Sequence, residues 1–96
     1  MRLQPEIEQR VSELWETIYD HLAEAEYSRR LSNWPLARDY ERRAEEELRN
    51  LRMLSWVLKR PPQLPSWREV ERRAAKKSLA VQTRVVLAKA SVAHEP

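Results

Sequence analysis

Along the first third of the chain, apolar residues recur at Leu3, Ile7, Val11, Leu14, Ile18, Leu22 and Ala25. Steps of three and four put all seven on one face of a helix, and no strand has that period. Trp15 and Tyr19 widen the stripe. Pro5 suits a first turn, and Glu6 and Glu8 complement the positive end of the helix dipole. The pattern predicts a first helix over about residues 5–31.

Ser32-Asn33-Trp34-Pro35 interrupts it. The Asn33 side chain suits an N-cap, and Pro35 is tolerated in the turn that follows. Because the chain has no glycine, Asn33 is also a candidate for the left-handed residue that ends the first helix. Ala37, Tyr40, Ala44, Leu48, Leu51 and Leu54 then resume the helical period over about 34–59. Met53, Trp56, Val57 and Leu58 make the end of this helix apolar on several sides.

The second break, residues 60–65, holds three prolines and predicts a stiff extended linker. Ser66-Trp67-Arg68-Glu69 has the form of a capping box. The third helix, about 67–92, follows with Trp67, Val70, Ala74, Val81, Val85, Ala88 and Val92 on one face. Its first turns are charged and its second half is mostly Ala, Val and Leu. That second half is either a core helix or a segment that docks into a partner's groove. The expectation is all-α, with three long antiparallel helices: an αα-hairpin plus a third helix, closing as a three-helix bundle or as a dimeric helical bundle. Residues 1–93 form a single helical domain and 94–96 a disordered tail.

Composition narrows the function. The chain has 96 residues, 18 basic and 15 acidic, with 42% hydrophobic residues. That suits one small folded domain and neither a disordered nor a membrane composition. A domain this short buries only roughly 60–65% of its unfolded surface, so a homodimer is an open alternative. Lack of glycine excludes glycine-rich phosphate loops, and lack of cysteine excludes disulfides and thiolate metal sites. The early charges leave no apolar core for a signal peptide, and no run is long enough to span a membrane. A cytoplasmic location is expected, with no cofactor and no metal.

Charge is unevenly spread. Residues 1–32 carry four basic against seven acidic side chains, residues 33–58 five of each, and residues 59–96 nine against three. Glu13, Glu16, Asp20 and Glu24 share one face of the first helix. No Glu-x-x-His motif accompanies them, so a ferritin-like metal site is not expected. They match Arg68, Arg72 and Lys76 on the third helix, which runs parallel to the first in an up-down-up arrangement. His21 borders the apolar face without a second histidine or a nucleophile beside it, and reads as a locally hydrogen-bonded boundary residue.

Ala25, Asn33, Trp34, Ala37 and Ala44 resemble the helix-turn-helix core of tetratricopeptide repeats and of the microtubule-interacting and trafficking three-helix domain. The likeness covers residues 25–44 and departs from the motif at Glu41, where an aromatic is usual. It implies a hairpin that binds peptides or helices.

No constellation supports enzyme chemistry. The expected function is a non-enzymatic helical protein-binding module: an adaptor, regulator or inhibitor of a larger protein. Its expected contacts are Trp56, Leu58 and Trp67 as apolar anchors, with Arg68, Arg72, Arg73 and Lys76 orienting a partner with an acidic surface. The alternative is a nucleic-acid-associated protein using the basic face of residues 59–89.

Overall fold

The computed structural model describes residues 3–61 and 63–93, apart from the side chains of Leu3, 82–86 and 88–93. The expected tail, 94–96, lies outside the described residues. Three helices follow in order: α1 (Leu3–Arg30), α2 (Trp34–Val57) and α3 (Trp67–Ala93). The fold is an all-α hairpin plus a third helix, with ends within two residues of those the periodicity predicts. The body is long and thin, 66 × 30 × 20 Å.

α1 and α2 are antiparallel and bury the main core. Ile18 is fully buried, and Leu14 and Leu51 nearly so, with Val11, Trp15, Leu22, Leu48 and Leu54 packed around them. Toward the turn the buried residues shrink to Ala25, Ala37 and Ala44. Burying a side chain such as Ile18 contributes about 1.5–3 kcal/mol. On the flank of this interface His21 Nδ1 sits 3.2 Å from Glu47 Oε2, across the hairpin rather than within α1.

Both connections solve the same problem without glycine. The Asn33 amide donates to Ser28 O at 2.8 Å and the Ser32 amide to Arg29 O at 2.9 Å. Arg60 repeats this with Ser55 O, and Lys59 with Trp56 O. Each is a Schellman closure, which satisfies the last carbonyls of a helix and needs one left-handed residue. Those residues are Ser32 (φ 58°) and Lys59 (φ 55°). Asn33 is therefore not the left-handed residue. It has φ −92°, and its side-chain oxygen accepts from the Leu36 amide at 3.4 Å, capping α2.

The linker runs back along α1. Arg60 pairs with Glu8, Pro61 and Gln63 lie near Val11 and Trp15, and the Ser66 amide donates to Tyr19 Oη at 3.0 Å. The expected capping box does not form: the Ser66 amide goes to Tyr19, and no bond from the Glu69 amide to the Ser66 hydroxyl is made among the described residues. Glu69 turns away from Ser66 to Arg72 and Arg73, because two guanidinium groups offer it stronger, charge-assisted bonds than a neutral amide.

α3 packs on α1 alone. Among the described residues no α2–α3 pair of Cα atoms comes within 8 Å. α1 carries its two neighbours on nearly opposite faces, since Ile18 and Asp20 stand about 200° apart around the helix. Val70 and Ala74 of α3 are fully buried, as is Ala23 of α1. Beyond them Leu79, Val81 and Leu87 are exposed. Arg73 meets Asp20 and, one turn on, Lys77 meets Glu24, so α3 runs parallel to α1.

Candidate functional site

The seven residues expected to form one surface fall on two sides of the molecule. Trp56 and Leu58 stand at the end of α2, beside the first half of α1. Trp67, Arg68, Arg72, Arg73 and Lys76 stand on α3, across α1 from it.

At the α2 end, Trp56 is 81% exposed, Met53 68% and Val57 54%. The buried stripe of α2, Ala37–Ala44–Leu51, advances by seven residues and next reaches Leu58. Leu58 is half-buried and lines a small cavity of ≈ 70 Å³ with Val11, Trp15, Ser55, Arg60, Pro61 and Gln63. Trp56 lies off that stripe, on the side of α2 turned from α1. With Arg52, Met53, Leu54 and Val57 it bounds an open groove of ≈ 420 Å³. In the sequence Met53 and Val57 stand out only as part of an all-round apolar helix end. Their offset from the Ala37–Ala44–Leu51 stripe is the signal that places them outside.

On α3, Arg73 is the residue the fold uses most. Its guanidinium reaches Asp20 at 3.0 Å, Glu16 at 3.0 Å and Glu69 at 2.9 Å. It also lies 5.3 Å from the Tyr19 ring centroid, within cation–π range. Its hydrogen bond to Glu69 raises its already high pKa further. Hydrogen bonds from Arg72 and then Arg73 hold the Glu69 carboxyl at about 2, well below the usual carboxylate range. Lys77 pairs with Glu24.

The expected match of the α1 acidic stripe to Arg68, Arg72 and Lys76 is therefore displaced by one residue, to Arg73 and Lys77. The reason is rotational. Arg68, Arg72 and Lys76 stand roughly opposite Val70 and Ala74 around α3, and burying those two turns the first three to solvent. Arg68 and Lys76 are exposed, and Arg72 bonds Glu69 at 2.9 Å. Trp67 is 52% exposed; its indole N–H donates to Glu71 at 3.0 Å, and the Arg29 guanidinium lies 6.0 Å from its ring centroid.

Among the described residues no group of three or more His, Cys, Asp or Glu side chains is placed to hold a metal ion. No described helix is long and apolar enough to cross a membrane. Comparison with protein-family models, with curated proteins and with solved structures finds no match to this chain.

Proposed function

We propose that this protein is a non-enzymatic binding module that recognises another protein through the exposed apolar end of α2. The observation that carries this reading is the solvent-facing trio Met53, Trp56 and Val57 on one side of a helix whose other side is already packed. Tryptophan and methionine are enriched at protein interfaces, and tryptophan in particular at hot spots. A role as adaptor, regulator or inhibitor and a cytoplasmic location belong to the same proposal.

The basic-face alternative has less in its favour. Within residues 59–89, Arg60, Arg72, Arg73 and Lys77 are each engaged with a carboxylate of the chain itself. A cation already neutralised releases fewer counterions from a phosphate backbone.

The test is affinity capture from the native source with the wild type and with Met53→Ala/Trp56→Ala, each with and without nuclease. The reading expects a protein retained near stoichiometrically by the wild type after nuclease and lost with the double variant at unchanged helicity. Recovery that collapses on nuclease treatment would favour the nucleic-acid alternative.

A further inference from the structure

The apolar end of α2 has its own basic flank, separate from the α3 arginines. Arg49, Arg52 and Trp56 follow at spacings of three and four on one side of α2. Arg52 bounds the ≈ 420 Å³ groove beside Trp56, and with Arg49, Glu45 and Leu48 it bounds a second groove of ≈ 350 Å³ one turn back. Both arginines are exposed. Neither takes part in an ion pair among the described residues.

We infer that the occupant of this surface is an acidic amphipathic helix. Its apolar residues cover Met53, Trp56 and Val57, and its carboxylates meet Arg52 and Arg49. The inference rests on the docking function proposed above and names the chemistry of the partner.

Geometry sets the spacing. At 1.5 Å per residue, Arg52 and Arg49 lie about 6 and 10 Å along α2 from Trp56. A partner helix laid along α2 therefore places its carboxylates one to two turns from its apolar anchors. A planar guanidinium suits bidentate pairing with such a carboxylate. The electrostatic part of the affinity is screened by salt, and the apolar part is not.

A phage-displayed library of random helix-forming peptides tests this. It is selected in parallel on the full-length wild type, on Trp56→Ala and on Arg49→Glu/Arg52→Glu, each first shown to keep its helicity. Wild-type selection is expected to enrich peptides of net negative charge with apolar residues three or four apart. Trp56→Ala is expected to lose them. Arg49→Glu/Arg52→Glu is expected to shift the selected charge to positive and to bind the best acidic peptide at least tenfold more weakly at low salt.

Neutral or basic peptides selected through Trp56, and indifferent to the arginines, would overturn the acidic partner and leave the docking surface standing. Selection that does not depend on Trp56 would remove the docking surface as well. Self-association of the wild type in sedimentation, abolished by Trp56→Ala, would replace the acidic helix with a second copy.

Discussion

Arg73 and Asp20 are 53 residues apart in sequence and 3.0 Å apart in space. Their contact, with Glu16 and the Tyr19 ring on the same guanidinium, holds α3 on α1 beside the buried Val70 and Ala74. Docking of α3 thus depends on charge to a degree that the α1–α2 hairpin does not.

Replacing Arg73 is accordingly expected to loosen α3 selectively. Arg73→Met should cost about 1–2 kcal/mol, at the low end for charged hydrogen bonds because Glu16 and Asp20 are themselves largely exposed. Native-state hydrogen exchange should show faster exchange across the start of α3, with α1 and α2 little changed. Arg72→Met removes only bonds to Glu69 at an exposed position and should leave the stability close to that of the wild type. Equal effects of the two substitutions would mean that Arg73 does not hold the helix.

Acid should act on the same junction through Glu69. Its carboxyl has an ordinary value near 4.5 in the open chain and about 2 when folded, lowered by Arg72 and Arg73. A depressed folded pKa gives stability that is complete above the unfolded value and is lost as pH falls through the folded one. Its contribution should be complete above pH 5 and fade between pH 4.5 and 2. Thermal melts of Glu69→Gln should show a shallower loss of stability in that window, and a carboxyl NMR titration should place the Glu69 midpoint near 2.

The two left-handed residues offer gains. A non-glycine residue in that conformation costs about 1–2 kcal/mol, part of which glycine returns through a more flexible unfolded chain. Ser32→Gly and Lys59→Gly should each stabilise the protein by about 0.5–1 kcal/mol in urea unfolding, additively because they end different helices. Ser32→Val should destabilise, since a β-branched side chain fits that backbone worst.

Core and surface should separate sharply between two apolar residues. Ile18 is fully buried and Trp56 is 81% exposed. Ile18→Ala should cost about 2–5 kcal/mol, whereas Trp56→Ala should stay within about 0.5 kcal/mol and keep the circular dichroism of the wild type. A large loss from Trp56→Ala would mean that its ring is part of the core.

Much of the candidate site was legible in part. Local sequence alone does not orient the Trp56 side chain, because Leu54, Val57 and Leu58 surround it and make every side of the helix end apolar. The seven-residue advance of Ala37, Ala44 and Leu51 carried the answer, since it continues to Leu58 and passes Trp56 by. The α3 residues that meet the α1 carboxylates were one position from those expected. Three cations at spacing four define a face, but a face meets its neighbour only when the adjoining apolar stripe allows that rotation. Val70 and Ala74 required the other one.

The sequence by itself determined the elements: three helices from a three-and-four period, two breaks from prolines and capping residues, and the opposite charge of the two ends. These are local properties, set within a few residues by side-chain spacing and backbone preference. Only the tertiary structure decided that α1 is the shared helix with α2 and α3 on opposite faces, that Arg73 and Lys77 close the charged junction, and that Ser32 rather than Asn33 takes the left-handed turn. The first two depend on the rotation and register of one helix against another, and the third on which carbonyls of α1 the turn closes on. Packing across the interface fixes these relations, and residues more than fifty positions apart contribute to it together.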